Sequence, residues 1–103
     1  MIQKLSEDGM VAVLYSPGFG AGWYTWNYEY PEILFDPAIV KFVENKKWAE
    51  LDTYVTLKYP EIYKGGMSDL EVEWIPEGTL FKVNEYDGSE SIEYKENDNW
   101  LVA

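Results

Sequence analysis

The apolar positions along the chain follow two different periods, and each period predicts one kind of element. Short apolar or alternating runs bounded by Gly, Pro, Asn or Asp are typical of strands. Such runs cover residues 10–15, 70–75, 79–86 and 89–95. Asp87-Gly88 separates the last two runs and favours a two-residue turn, because a type I′ hairpin needs positive φ at both positions. The pattern therefore predicts four strands, the last two joined as a hairpin.

Two segments have helical spacing. Asp36-Pro37 indicates a helix start, with Asp36 as the N-cap and Pro37 at the first helical position. The core-facing residues of this helix, which ends near residue 45, are Ile39, Phe42 and Val43. A second helix is predicted over residues 47–58 and is stopped by Pro60. Its core-facing residues are Trp48, Leu51 and Val55.

Pairing residues across Asp87-Gly88 gives a hairpin register that is chemically consistent. Apolar residues face each other on one side and polar residues on the other, as cross-strand pairing favours. The expected pairs are Val83 with Ile92, Phe81 with Tyr94, Lys82 with Glu93, Asn84 with Ser91, and Glu85 with Glu90. With the helices, these strands predict an α+β fold, an antiparallel sheet of about four strands with two helices on one face. The length predicts a single domain over residues 1–103.

Composition and charge exclude several classes of function. The chain has 19 acidic residues against eight lysines and a net charge of −11, and it contains no histidine, arginine or cysteine. Histidine catalysis, imidazole metal sites and arginine clamps on phosphate are therefore impossible. Eight lysines supply too little positive charge to bind a phosphate backbone, so we expect no binding to duplex nucleic acid. An acidic surface attracts cations and basic protein surfaces instead.

The sequence also bears on location. No stretch approaches the roughly 20 apolar residues of a membrane helix, and the N-terminal residues lack a signal-peptide pattern. The absence of cysteine fits a reducing compartment. We therefore expect a cytoplasmic protein without a membrane partner, cofactor or metal.

Residues 16–27, with the sequence SPGFGAGWYTWN, form the strongest candidate site. The three glycines indicate a backbone that bends sharply or approaches something closely, and the neighbouring aromatic rings can pack or grip. The expected ligand-binding residues are Ser16, Gly18, Phe19, Gly20, Gly22, Trp23, Tyr24, Trp26 and Asn27, together with Asn84. Trp23 and Trp26 would stack on the ligand, the glycines would present backbone groups, and Asn27 or Asn84 would read polar edges.

Two interpretations of this segment stay open. Its glycine spacing fits neither standard phosphate-binding motif. Backbone N–H groups of a glycine-rich turn can still line an anion-binding concavity, and a tryptophan can stack on a nucleobase. Alternatively, the glycines permit a tight turn that the tryptophans anchor to the core.

Carboxylates also crowd the hairpin tip. Glu85, Asp87 and Glu90 would bind a hard cation or share a proton, or else they are simply solvated. The serines have no histidine to activate them. Catalysis is therefore disfavoured, and we expect a binding protein rather than an enzyme.

Three strings, at residues 11–27, 34–44 and 63–94, resemble a family of small uncharacterised phage and prophage proteins. SPGFGAGWYTWN and NEYDGSESIEY are the most distinctive parts of the match. The resemblance implies a phage-borne protein of the host cytoplasm, and it carries no known activity or catalytic residues.

Phage origin favours two functional hypotheses. In the first, the protein is a homo-oligomeric anti-defence protein that sequesters a nucleotide-derived small-molecule signal without turnover, in a site closed between subunits. In the second, it is an acidic, DNA-mimic-like inhibitor that binds the basic surface of a host defence protein.

Overall fold

The computed structural model describes residues 2–94 and 101–103. Within these ranges the chain forms two three-stranded antiparallel sheets, two α-helices and two 3-10 helices. The strands are β1 (Ser6–Glu7), β2 (Met10–Tyr15), β3 (Glu71–Pro76), β4 (Leu80–Tyr86), β5 (Ser89–Tyr94) and β6 (Leu101–Val102). The helices are α1 (Pro37–Glu44) and α2 (Trp48–Lys58), with 3-10 turns at Pro31–Leu34 and Met67–Asp69. The predicted α+β class is confirmed.

The strand count and sheet arrangement differ from the prediction of about four strands in one sheet. All four predicted strands are present, but they divide between a sheet ordered β1-β2-β3 and a sheet ordered β5-β4-β6. β1 and β6 have two residues each, and two residues are too few to show a period in the sequence. The division into two sheets depends on contacts between distant segments, which the pattern does not encode.

Strand β2 lies at the centre of the core because both of its faces are buried. Ala12 and Leu14 pack in a cluster with the apolar faces of α1 and α2. Val11 and Val13 face the opposite way, into a second cluster that contains Phe81 of β4. A strand buried on both faces reads as a continuous apolar run, which is the pattern of residues 10–15.

The helix predictions are confirmed except at Trp48. Asp36 caps α1, and its side chain accepts hydrogen bonds from the first-turn backbone. Helix α2 begins one residue later than predicted, and its Leu51 and Val55 are fully buried. Trp48 was expected in the core but is 41% exposed. It is the first residue of α2, so its ring lies beyond the buried face that Leu51 and Val55 form.

The predicted hairpin register is confirmed at every pair. Asp87 and Gly88 both have positive φ, 52° and 86°, as a type I′ turn requires. Strand β3 is shifted by one residue from the predicted 70–75, and Lys95, the predicted end of the last strand, lies outside the described residues. Among residues 2–94 and 101–103, no helix combines the length and the apolar character needed to cross a membrane.

Candidate binding site

Residues 16–27, which we call the glycine–tryptophan loop, fold against the tip of the β4–β5 hairpin. The Gly20 amide donates to the Asp87 carbonyl at 2.7 Å, and the Glu90 amide donates to the Ser16 carbonyl at 2.8 Å. Gly20 has a φ of +100°, which glycine adopts without strain. These bonds join two segments that lie far apart in the sequence into one unit.

The buried carboxylate of Glu90 holds the loop from inside. Its Oε1 accepts the Ser16 amide at 2.9 Å. Its Oε2 accepts the Trp23 and Thr25 amides, both at 2.8 Å, and the Thr25 hydroxyl at 2.7 Å. The loop therefore forms a concavity of backbone donors, but these are the amides of Ser16, Trp23 and Thr25 and not those of the glycines that were expected to present backbone groups. The anion that fills it is the chain's own Glu90 rather than a ligand.

Trp23 is an anchor of the core. Its side chain is fully buried, and its Nε1 donates to the Ile33 carbonyl at 3.0 Å. The prediction that Trp23 stacks on a ligand is therefore wrong, because no face of the ring is exposed. Ser16 and Gly22 are buried as well. Within the described residues, the Ser16 hydroxyl has no hydrogen-bond partner.

Both predicted asparagines form hydrogen bonds within the chain. Asn27 Nδ2 donates to the carbonyls of Trp23 and Tyr63 at 2.8 and 2.9 Å, and its Oδ1 accepts the Tyr63 amide at 2.7 Å. Asn27 therefore ties the end of the loop to the segment that follows α2. Asn84 lies on β4 and donates across the hairpin to Glu93 at 2.6 Å. The predicted role in reading a ligand is wrong for Asn27, whose amide group forms three internal hydrogen bonds and which is only 7% exposed. For Asn84 this role stays a prediction.

The rest of the loop is accessible to different degrees. Gly20 is exposed, Gly18 is half-buried beside Asp69, and Tyr24 is half-buried against the second core cluster. Phe19 is 73% exposed and Trp26 is 42% exposed. The Trp26 ring lies 5.4 Å from the exposed ring of Tyr63, tilted by 32°. We call the exposed rings on and beside the loop the aromatic surface, which consists of Phe19, Trp26, Tyr28 and Tyr63.

The carboxylates at the hairpin tip do not act as a pair. Glu85 and Glu90 are opposed in the register, but Glu85 is exposed and accepts the Gly88 amide at 2.7 Å. Glu90 points into the loop, and both of its oxygens are occupied. Across the part of the chain that the structure describes, no group of three or more Asp or Glu side chains could hold a metal ion. The hypothesis of a cation or shared proton at this tip is therefore wrong.

A second buried carboxylate, Asp36, joins the two helices. Its Oδ2 accepts the hydroxyls of Tyr59 at 2.7 Å and Tyr54 at 2.9 Å, and it pairs with Lys58 Nζ at 3.2 Å. Lys58 also donates to the Tyr54 hydroxyl at 3.0 Å. The sequence indicated the cap and placed Tyr54 and Lys58 at i and i+4 on one helix. Their convergence on Asp36 depends on the tertiary structure, which packs α2 against the start of α1.

The interactions in this cluster shift the pKa values of Asp36, Lys58 and Tyr59 further from pH 7. Burial alone would raise the pKa of Asp36, but hydrogen bonds from Tyr59, Tyr54 and Lys58 outweigh it and hold the pKa below its ordinary value. The Tyr54 hydroxyl and Asp36 raise the pKa of Lys58, and burial raises the pKa of Tyr59. At neutral pH Lys58 stays charged and Tyr59 stays neutral, so the cluster is suited to structure and binding rather than proton transfer.

A cleft of about 570 Å³ opens beside this cluster. It is lined by Ile2, Gln3, Tyr30, Glu32, Asp36, Pro37, Lys58, Tyr59, Pro60 and Glu61. The Tyr30 hydroxyl donates to Glu61 at 3.3 Å. Partial burial and the carboxylates of Glu61, Glu29 and Glu32 raise the pKa of Tyr30. The cleft therefore combines aromatic and proline walls with an excess of acidic groups.

No family model, no curated protein and no solved structure matches the chain. The functional argument therefore depends on the residues and their geometry.

Proposed function

We propose that the chain is a binding protein without turnover, and that it recognises a basic surface of another protein through the aromatic surface. The observation that carries this proposal is that Glu90 fixes the glycine–tryptophan loop from inside. The same loop leaves Phe19 and Trp26 exposed. A loop held in one conformation loses little entropy on binding. Exposed tryptophan and tyrosine side chains are the residues most enriched at the energetic centres of interfaces.

The charge of the chain indicates the chemistry of the partner. Nineteen acidic residues against eight lysines leave an excess that the chain cannot neutralise itself. Two exposed carboxylates lie close to this surface in the sequence: Glu29 directly follows Tyr28, and Glu61 precedes Tyr63 by two residues. Aromatic anchors with a rim of carboxylates complement a surface rich in lysine and arginine, and they accelerate its association.

The resemblance to phage proteins supports a host protein as the partner. We propose a defence protein of the host cytoplasm, which agrees with the absence of cysteine. Masking the basic site of such a protein is sufficient for inhibition, and it needs no chemistry from this chain.

Trp26→Ala tests the proposal, with Trp48→Ala as its control. The two tryptophans are 42% and 41% exposed, but only Trp26 belongs to the aromatic surface. Basic host proteins retained at low salt would be identified, and their affinity measured by calorimetry. We expect Trp26→Ala to weaken binding by roughly tenfold or more and Trp48→Ala to leave it unchanged. Equal affinity of both variants, or no partner whose binding weakens with salt, would contradict the proposal.

Sequestration of a nucleotide-derived signal is the second candidate. It is favoured by a groove of about 490 Å³ whose lining includes Trp48 together with Pro17 and Gly18 of the loop. A tryptophan face can stack on a nucleobase, and a homo-oligomer would close the groove. It is second because the described lining contains Asp69 and Glu71 but no lysine, and carboxylates repel phosphate.

A thermal-shift screen with cyclic and linear nucleotides tests the second candidate. A ligand that binds only the folded state raises the melting temperature. We expect Trp48→Ala to abolish such a rise and Trp26→Ala to preserve it. No rise with any nucleotide would rule this candidate out.

A further inference from the structure

We propose that the cleft beside Asp36 and Lys58 receives an arginine side chain of the protein partner and binds its guanidinium group. This inference rests on the proposed function, because it names the group on the partner that the chain recognises. It adds a second site to the aromatic surface.

The shape of the cleft suits a long side chain with a planar head. Its volume of about 570 Å³ lies within the usual range of small-ligand sites and has room for a side chain with its backbone. Ile2, Pro37 and Pro60 supply apolar walls for the methylene groups. The half-buried Tyr30 contributes an aromatic ring, over which a guanidinium can stack.

The charges of the cleft favour a cation over an anion. Within its described lining the one lysine is Lys58, which is already paired with Asp36 at 3.2 Å. Two further carboxylates, those of Glu32 and Glu61, belong to the same described lining, which supplies no second lysine for them. An anion at Lys58 would meet both carboxylates in a protein of net charge −11. A cation is attracted by the same groups.

The donor geometry favours guanidinium over a metal ion or an ammonium group. Hard metal ions need several oxygen ligands around one point, and proline and tyrosine rings fill much of this lining. A guanidinium presents five N–H donors in a plane, so it can reach more than one carboxylate while its face rests on a ring.

The cleft also adjoins the aromatic surface. Tyr30 follows Tyr28 by two residues, and Glu61 precedes Tyr63 by two residues. Asn27, which directly precedes Tyr28, joins these two segments through its two hydrogen bonds to the backbone of Tyr63. A partner that covers Trp26 and Tyr63 is therefore placed to insert a side chain into the cleft.

Titration of the full chain with N-acetyl-arginine amide tests the inference by amide NMR. We expect saturable shifts at Tyr30, Glu32 and Glu61. The citrulline analogue, which has the same shape without the charge, should bind roughly fivefold more weakly or worse. Glu61→Gln should weaken binding of the arginine probe by roughly threefold or more. Glu77→Gln, which removes another exposed charge, at the β3–β4 turn, should not.

The outcomes separate this inference from the proposed function. Three outcomes would overturn the proposal that the cleft binds a guanidinium group. They are equal binding of the arginine and citrulline probes, equal effects of Glu61→Gln and Glu77→Gln, and binding of acetate at Lys58. None of these outcomes contradicts the proposed function, because binding of a partner protein through Trp26 would be unaffected. If the arginine probe binds as expected but no partner depends on Trp26, the guanidinium site stands and the proposed function fails.

Discussion

Asp36 and Glu90 are both buried carboxylates, but the chain stabilises them by different means. Asp36 accepts from two first-turn amides of α1 and also from side chains, because two tyrosine hydroxyls donate to it and Lys58 pairs with it. Glu90 accepts from three backbone amides and one threonine hydroxyl, all of them neutral donors. Asp36 fixes the start of α1 against α2, whereas Glu90 fixes the course of a loop without regular structure.

The difference shows how an irregular segment can be made rigid. A helix satisfies its own backbone groups, so one capping acid at its end is sufficient. A loop leaves many amides without partners, and burying them is costly unless an acceptor is provided. Glu90 provides that acceptor, and the amides converge on it because the chain curls around its side chain. The rigidity of the aromatic surface therefore comes from a residue outside the loop.

Removal of the Glu90 side chain should cause the largest loss in the free energy of unfolding. Glu90→Ala leaves the amides of Ser16, Trp23 and Thr25 buried without an acceptor, each at a cost of about 1–3 kcal/mol. We expect the free energy of unfolding to fall by about 4 kcal/mol in total. Urea denaturation measures this loss.

Glu85→Ala is the matched control, because it removes one carboxylate from the opposite position of the same hairpin. Glu85 is exposed, so we expect a loss of about 1 kcal/mol or less. Similar losses in the two variants would show that Glu90 acts only through its charge, and would remove the contrast with Asp36.

Disrupting the docking of the hairpin tip against the glycine–tryptophan loop should cause the next largest loss in the free energy of unfolding. Gly88 and Gly78 have nearly the same φ, +86° and +87°. A methyl group at Gly88 would collide with the backbone of Ala21, whereas at Gly78 nothing lies within 4 Å. We expect Gly78→Ala to cost about 1 kcal/mol from backbone strain. Gly88→Ala should cost about 2 kcal/mol more, because the hairpin must move away from the loop.

The loop amides provide a second measurement for this pair. In Gly88→Ala, the amide resonances of Trp23 and Thr25 should shift and lose protection from exchange, because the strand that carries Glu90 moves with the hairpin. In Gly78→Ala they should stay unchanged. Unfolding energies that are equal in the two variants would mean that the collision with Ala21 is relieved locally and that docking contributes little.

Replacement of Asp36 should give the smallest effect and a dependence on pH. Because its folded-state pKa is lowered, Asp36 contributes stability that is complete above the unfolded pKa of about 3.9. That contribution is lost as the pH falls through the lower pKa of the folded state. Asp36→Asn should therefore cost about 1–2 kcal/mol at pH 7, and the difference from the parent should shrink below about pH 4.

Asp52→Asn is the control for this prediction, because Asp52 forms an exposed ion pair with Lys64 at 2.9 Å. Such pairs contribute little, so we expect a change within about 0.5 kcal/mol at pH 7. Unfolding energies would be measured with urea from pH 7 to pH 3. A difference between parent and Asp36→Asn that stays constant over this range would show that its charge does not stabilise the fold.

Local features of the sequence predicted much of the fold. The Asp36-Pro37 helix start and the hairpin register about Asp87-Gly88 are decided by neighbouring residues, and the structure confirms both. The burial of Leu51 and Val55 followed from helical spacing. The same spacing was wrong for Trp48, because periodicity gives the direction of a side chain but not where the buried surface ends.

The candidate site was only partly predictable. The sequence singled out the glycine–tryptophan loop by its composition, and Trp26 and Phe19 are exposed on it. Trp23, three residues from Trp26, is fully buried instead. Residue type did not separate the two tryptophans, since burial depends on which face of the loop meets Ile33 and the helices. Glu90 was interpreted as a solvated or cation-binding acid because its partners lie at least 65 residues away.

The sequence by itself determined the α+β class, the hairpin, the cap of α1, the acidity, and the exclusion of chemistry that needs histidine, arginine or cysteine. These depend on composition and on contacts within a few residues. Tertiary structure decided that the strands divide into two sheets, that Glu90 fills the donor concavity of the loop, and that Tyr54, Lys58 and Tyr59 gather on Asp36 beside a cleft. The reason is physical. A buried charge must find donors wherever the fold brings them, and no local pattern records which distant segments those are.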